Sequence, residues 1–149
     1  MKKVGRFLFV SILFLIIFHI SKAQECKNFY LQCGIDSTDI WSINEKSTNF
    51  HIQPGTSVEL KMEILKAKDY RISLCGDDFI GNVFHFRILD KDDNVLYNNE
   101  NDNYALSFSF SCLETKPVKI TINIPETGSS QKGCLGVLVE EAISVPTGF

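Results

Sequence analysis

From residue 48 onward, apolar and polar residues alternate along the chain with the two-residue period of a half-buried β-strand. The clearest stretch is 58–64, where Val, Leu, Met and Ile alternate with Glu, Lys and Glu. The overlapping sequence Thr56-Ser57-Val58-Glu59 also matches a capping box, which would begin a short helix. Strict alternation over the whole stretch favours the strand.

The same alternation recurs in segments that are separated by polar turns, which is typical of an all-β sandwich or barrel. The predicted strands are eight, at residues 48–52, 58–64, 70–75, 83–89, 95–97, 105–112, 118–124 and 134–139. Each segment is apolar on one face only, so two sheets packed face to face would bury all the apolar faces. We therefore expect a single domain over 24–149, with an irregular N-terminal segment at 24–47 and strands within 48–142.

The N-terminus has the three parts of a secretory signal peptide. Lys2, Lys3 and Arg6 precede an apolar run at 7–20, and Ser21-Lys22-Ala23 follows with small residues at the two positions that a signal peptidase reads. A membrane anchor needs about 20 apolar residues, and this run is shorter. Residues 1–23 are therefore predicted to be a signal peptide, and the protein is predicted to be secreted or periplasmic and not membrane-spanning after cleavage.

Removal of this leader changes the charge balance. The full chain has 15 Lys+Arg and 18 Asp+Glu, and the leader contains four basic and no acidic residues, which leaves 11 against 18 and a formal charge of −7. The remaining basic residues are scattered singly, without the basic stripe of a nucleic-acid-binding protein. Nucleic acid is therefore excluded as a partner.

An exported chain can form disulfides, and the predicted mature chain contains five cysteines, Cys26, Cys33, Cys75, Cys112 and Cys134. The odd number leaves at least one thiol unpaired within the chain. The spacings match no zinc pattern, and no cofactor is predicted. A catalytic Cys–His pair stays open, since such partners meet only in space, but structural disulfides with one buried thiol are the favoured interpretation.

Several segments resemble those of a known type of domain. The segments on which the resemblance is based are a Pro-Gly turn at 54–55, the strand Tyr70-Arg71-Ile72-Ser73-Leu74, the segment 95–99 (VLYNN) and the final strand 133–138 (GCLGVL). From Phe50 to Val139 they resemble the bacterial pre-peptidase C-terminal type of domain and a set of small secreted bacterial proteins. The resemblance implies an eight-stranded jelly-roll β-sandwich of two antiparallel sheets outside the cytoplasm, and it implies no activity.

The jelly-roll topology, if it holds, predicts the disulfides. Its sheets take the eight strands in the orders 1-8-3-6 and 2-7-4-5, so the end of the third strand lies beside the start of the eighth. We therefore expect a Cys75–Cys134 disulfide and a local Cys26–Cys33 disulfide. Cys112 is expected as a buried free thiol, near Tyr70 and in phase with the apolar side chains of its strand. The rival pairing, Cys75–Cys112, would require a different strand order.

The acidic turn after the fourth strand offers the best metal candidate. Asp90, Asp92 and Asn94 have the first, third and fifth spacing of a calcium loop, and related sandwich domains sometimes bind calcium. The pattern then fails, because Val95 stands where glycine is needed and Asn101 where a bidentate Glu is needed. A solvated hairpin turn is the favoured interpretation. Asp77, Asp78 and Asp102 are possible further oxygen donors.

Two classes of function remain. No catalytic motif is present, which favours a secreted, non-catalytic module that binds a protein, a glycan or another envelope component. The alternative is a small secreted hydrolase or enzyme inhibitor with a site built from loops. A polar pocket with His51 or His85 beside a carboxylate would favour the enzyme, and a shallow face with exposed aromatic side chains such as Trp41 or Tyr104 would favour binding.

The leader makes a direct prediction about the exported chain. Mass spectrometry of the protein recovered from the cell envelope or medium should show an N-terminus at Gln24, because cleavage is expected after Ala23. An exported form that retains residues 1–23 would contradict this assignment.

Overall fold

The computed structural model describes residues 26–34 and 40–144, and over these residues the protein is nearly all β. The nine strands are β1 (Ser42–Ile43), β2 (Thr48–Ile52), β3 (Ser57–Ile64), β4 (Lys68–Gly76), β5 (His85–Leu89), β6 (Val95–Asn98), β7 (Ser107–Ser111), β8 (Lys116–Asn123) and β9 (Gly133–Ile143). Two short 3-10 helices lie at Phe29–Gln32 and Asn99–Asp102. The predicted all-β class is confirmed, and the sequence Thr56–Glu59 leads into a strand and not a helix.

Two antiparallel sheets form the sandwich. In the first sheet β9 pairs with β1 and β2 on one side and with β4 on the other, and β7 follows β4. The second sheet has the order β3-β8-β5-β6. With the eight predicted strands matched to β2–β9, these are the jelly-roll orders that the sequence predicts.

One strand was missing from the prediction. The structure has nine strands instead of eight, because β1 lies in the segment 24–47 that was expected to be irregular. Both residues of β1 are exposed, so its sequence carries no alternation that could reveal it. The final strand also continues to Ile143, beyond the predicted end of the strands.

The core lies between the two sheets and consists of the inward-facing residues of the alternating pattern. Its fully enclosed side chains include Phe84, Phe86, Ile72, Ile120, Ile122 and Val137. Burial of a large aliphatic or aromatic side chain contributes about 1.5–3 kcal/mol, so this row of residues is the main favourable term for the fold.

Strand β9 is buried on both faces. Leu135, Val137 and Val139 face the core, while Cys134 and Leu138 lie on the outer face and are equally inaccessible. The outer face is covered by the N-terminal segment, since Tyr30 donates its backbone N–H to the side-chain oxygen of Asn49 on β2, 2.6 Å away. The alternating pattern therefore reports only one of the two faces that β9 buries.

Two disulfides hold the N-terminal segment against this outer face, Cys26–Cys134 and Cys33–Cys75. The predicted pairs Cys75–Cys134 and Cys26–Cys33 are therefore wrong. Cys75 lies opposite Gly136 in the β4–β9 register, so Cys134 is two residues further along β9 on the same face. Diagonal positions of this kind are about 7–8 Å apart, which is too far for a disulfide. Cys75 and Cys134 instead each form a disulfide with a cysteine of the N-terminal segment that covers this face.

Cys112 is a buried free cysteine. Its backbone N–H donates to the carbonyl oxygen of Lys68 at 2.9 Å, which places it two residues from the level of Tyr70. Its thiol donates to the carbonyl oxygen of Glu114 at 2.9 Å.

A buried ion pair lies further along the same outer face. The Arg71 guanidinium donates to both carboxylate oxygens of Glu140, at 2.6 and 2.9 Å, and Glu140 is only 2% exposed. The Trp41 ring covers the guanidinium at 4.6 Å. Two-point hydrogen bonding and this ring contact offset the cost of removing both charges from water. Trp41, a candidate binding aromatic in the sequence, therefore contributes to the structure of this face.

The described residues contain no helix that is long and apolar enough to cross a membrane. The two disulfides fit an extracellular or otherwise oxidising compartment. The predicted signal peptide, residues 1–23, lies outside the described residues.

The close approach of the N-terminal segment to β9 requires glycine at position 136. A Cβ atom there would lie 2.6 Å from the Cys33 sulfur and 2.8 Å from the Cα of Tyr30. Gly136→Ala should therefore lower the free energy of unfolding by about 1–3 kcal/mol, the usual cost of overpacking. Denaturant unfolding of the oxidised protein measures this.

The control for Gly136→Ala is the same substitution in a chain whose four bonded cysteines are replaced by serine. Because the N-terminal segment is no longer bonded to β4 and β9 in that chain, Gly136→Ala should lower the free energy of unfolding by a smaller amount. An equal loss of unfolding free energy in both backgrounds would show that the cost of the substitution does not come from contact with the N-terminal segment.

Candidate binding groove

The two sheets leave a groove open along one side of the sandwich, between the edge strands β6 and β7. The strands lie side by side there, because the Tyr97 ring of β6 stacks on the Phe108 ring of β7 with centroids 3.6 Å apart. The groove has a volume of about 480 Å³, within the range of small-molecule sites. It is lined by Ile64, Ile88, Leu96, Tyr97, Phe108, Phe110, Ser111, Cys112, Leu113, Glu114 and Lys116.

The sequence of β7 explains the aromatic lining. In Ser107-Phe108-Ser109-Phe110-Ser111 the serines are exposed and the phenylalanines face the inside of the sandwich. Phe108 stacks on Phe110 with centroids 5.6 Å apart, and Phe110 stacks on Tyr70 of β4 at 5.7 Å. A continuous row of rings therefore leads from the core to the open side.

Aliphatic side chains extend this surface into solvent. Leu113 is 85% exposed and Leu96 is 46% exposed. The charged groups of the lining are Glu114 and Lys116, which pair with each other at 3.3 Å. The groove therefore combines an apolar floor with a single ion pair at its rim.

The second 3-10 helix fixes one side of this region through a buried asparagine. Asn99 is fully buried, donates its amide to the carbonyl oxygen of Phe84 at 2.8 Å and accepts the N–H of Phe86 at 2.9 Å. This anchor places Asp102 where it accepts the Tyr97 hydroxyl at 3.0 Å. Desolvation, followed by the hydrogen bond to Asp102, raises the pKa of Tyr97 to about 12. Tyr97 therefore stays neutral at ordinary pH.

The same helix brings a carboxylate to His85. Nδ1 of His85 lies 2.8 Å from Oε1 of Glu100, and the Tyr104 ring meets the imidazole edge-on at 5.1 Å. The hydrogen bond with His85, with a smaller contribution from Asn98, lowers the pKa of Glu100. Such a contact can orient an imidazole as a general base.

The His85–Glu100 pair nevertheless lacks the setting of an active site. The side chains of His85 and Glu100 are 36% and 48% exposed. The hydrogen bonds of His85 in the described part of the chain include no serine hydroxyl and no thiol. His51, the other candidate, is exposed on β2. Within residues 26–34 and 40–144, neither histidine has a hydrogen bond to a hydroxyl or thiol that such an imidazole could activate.

The acidic turn at 90–94 uses its carboxylates to hold itself together. Asp90 accepts the backbone N–H groups of Asp92 and Asn94 and the side-chain amide of Asn94, all at 2.8–2.9 Å. The side-chain hydrogen bond from Asn94 is the main reason that the pKa of Asp90 is lowered. Asp93 has a left-handed backbone and pairs with Lys119 at 2.5 Å. These contacts are those of a hairpin turn.

Two of the three other acidic candidates, Asp77 and Asp102, also have hydrogen-bond partners. Asp77 accepts three backbone N–H groups, including that of Cys134 at 2.8 Å, and so joins the loop after β4 to β9. Asp102 accepts the Tyr97 hydroxyl, and Asp78 is exposed. Among residues 26–34 and 40–144, no group of three or more His, Cys, Asp or Glu side chains is arranged to hold a metal ion.

A second cleft, of about 710 Å³, lies on the opposite side of the sandwich and includes residues of β1, β3 and β4. Its lining is rich in charges that pair internally, as in Lys68–Glu141 at 2.6 Å and Lys46–Glu45 at 3.6 Å. The hydrogen bond from Lys68 is the main cause of the lowered pKa of Glu141. The groove between β6 and β7 is the stronger candidate, because its lining is mostly apolar and has a single ion pair, Glu114–Lys116, at the rim.

No protein-family model matches this chain, and no curated protein matches its sequence. The resemblance to the pre-peptidase C-terminal type of domain therefore stays a prediction. What the molecule binds has to be argued from its own residues.

The turn contacts predict that calcium has little effect on stability. Thermal melts of the mature protein in millimolar calcium and in chelator should agree within a few degrees, since the Asp90 oxygens already accept hydrogen bonds from the turn. A large rise in melting temperature with calcium would reveal a site that these contacts do not predict.

Proposed function

We propose that this protein is an exported, non-catalytic β-sandwich that binds an apolar part of an envelope component in the groove between β6 and β7. The leader pattern supports secretion or a periplasmic location, and the two disulfides suit either compartment. The observation that carries the proposal is the open row of aromatic and aliphatic side chains, which a monomeric soluble domain normally buries.

The lining favours an acyl chain over a glycan. A glycan needs several free polar partners, but here the Tyr97 hydroxyl is bonded to Asp102 and Glu114 is paired with Lys116. An acyl chain would instead cover Leu96, Phe108 and Leu113 and gain roughly 25 cal/mol for each Å² of apolar surface removed from water. The polar end of such a ligand would lie at the solvent-exposed rim, beside the Glu114–Lys116 pair. A lipid-like amphiphile is therefore the ligand class that the groove fits best.

A small hydrolase is the second candidate, and the His85–Glu100 contact is the observation that favours it. Its exposure and the absence of a hydroxyl or thiol among the hydrogen-bond partners described for His85 weigh against it. A His85→Gln variant that retains ligand binding, together with a failure of the wild type to cleave ester and peptide substrates, would separate the two candidates.

The binding proposal can be tested with a dansylated undecanoic acid as the fluorescent probe. The mature protein should enhance its emission saturably, and Leu113→Asp should weaken binding by about tenfold or more, because a charge on the groove rim opposes apolar burial and repels the carboxylate. Leu113 is largely exposed, so the melting temperature should change little.

Val83→Asp is the matched control, because Val83 is also an exposed aliphatic residue but is not part of the groove lining. It should bind the probe like the wild type. The proposal fails if the wild type does not bind, or if both aspartate variants lose binding equally.

A further inference from the structure

Strand β7 is an edge strand whose outer backbone groups have no partner among the described residues. It pairs with β4 only, and Leu74 N–H→Leu106 O and Cys112 N–H→Lys68 O fix the phase of that ladder. By this phase, Phe108 and Phe110 direct their backbone N–H and C=O groups to β4. Ser107, Ser109 and Ser111 therefore direct theirs away from the sheet.

This edge lacks the usual protection against pairing with another chain. Natural edge strands carry charges, proline or bulges, and β3, an edge of the second sheet, follows that rule with Glu59, Lys61 and Glu63. Strand β7 has none of these features, and its register with β4 is regular. Its neighbour β6 (VLYN) is uncharged as well. Neither strand therefore brings a charged side chain of its own to an approaching second copy.

The sequence of β7 is also palindromic. Ser-Phe-Ser-Phe-Ser reads the same in both directions, with Ser109 at its centre. When such a strand pairs antiparallel with a copy of itself about Ser109, each serine meets a serine and each phenylalanine meets a phenylalanine. A twofold interface requires this kind of self-complementarity.

We propose that two copies of the protein associate through antiparallel pairing of their β7 strands, about a twofold axis at Ser109. Ser109 then faces its equivalent in the second copy, and Ser107 faces Ser111. Each of these serines donates one N–H and accepts one, so every outward backbone group of β7 is satisfied. The first sheets of the two copies become one continuous sheet.

The side chains fit the same arrangement. Phe108 of one copy meets Phe110 of the other on the inner face, where aromatic cross-strand pairs are favourable. Three serines from each copy line the outer face, where no charged pair forms between the strands. Phe108 and Phe110 also line the groove, but the backbone hydrogen bonds of the pairing require no ligand there, so the inference goes beyond the proposed function.

The first test is the mass of the mature protein in solution, measured by sedimentation over about a hundredfold range of concentration. A concentration-dependent dimer is expected. Ser109→Pro should make the protein monomeric, because proline removes an outward N–H without breaking the β4 ladder. Lys61→Pro is the matched control on the β3 edge, where the register likewise turns the N–H outward, and it should leave the dimer intact.

A second variant covers the case in which proline impairs folding. Ser109→Lys places two like charges opposite each other at the axis, so it should abolish the dimer while the monomer melts near the wild-type temperature. A monomeric wild type at every concentration, or a dimer that survives both Ser109 variants, overturns the proposal.

A positive test uses the distance expected at the axis. Directly opposed residues in a hydrogen-bonded antiparallel pair have Cα atoms about 5.5 Å apart, within the range for a disulfide. Ser109→Cys should therefore oxidise to a covalent dimer, whereas Ser57→Cys on the exposed β3 edge should not. The absence of a Ser109→Cys dimer would also count against the pairing.

Probe binding by the Ser109→Lys monomer keeps the two proposals separate. Retained dansyl binding by a protein that no longer dimerises would show that the groove and the edge act independently. If the wild type dimerises but binds no probe, only the proposed ligand is wrong.

Discussion

The burial of β9 on both faces is the constraint on which the rest of the structure depends. Its inner residues complete the core, and its hydrogen bonds join β1 and β2 to β4. A strand in this position needs a cover on the outside as well, and the segment at 26–34 supplies it through two disulfides. In the chain-entropy description each of these disulfides contributes on the order of 4 kcal/mol by restricting the unfolded chain, so the covered state of β9 is favoured.

The two long sides of the sandwich differ as a consequence. The outer face near β9 is occupied by the covering segment and by the Arg71–Glu140 pair beneath Trp41. On the far side, β6 and β7 leave apolar rings and uncharged backbone edges accessible. The groove shares side chains with the core, but Leu113 and Ser109 are exposed, which is why variants at these two positions can be tested without unfolding the protein.

Local periodicity explains which parts could be predicted. The two-residue alternation in segments such as 58–64 and 118–124 follows directly from having one face in the core, so it revealed eight strands and, with the implied topology, their order in both sheets. It could not reveal β1, whose residues are both exposed, or the second buried face of β9, because burial on both faces removes the alternation. The disulfide pairing was missed because it depends on a register offset of two residues and on where the N-terminal segment lies.

The features of the candidate site also divide into those that the sequence predicts and those that only the tertiary structure shows. The sequence by itself determined that the chain is all-β, that it carries the pattern of an exported protein, and that Phe108 and Phe110 face inward while the serines of β7 face out, because these properties depend on neighbours in the chain. The tertiary structure decided that Tyr97 stacks on Phe108 beside an open groove and that Glu100 contacts His85. It also decided that the Asp90 carboxylate accepts hydrogen bonds within its own turn. Those contacts join residues whose meeting depends on sheet order, register and loop path, which short-range patterns do not encode.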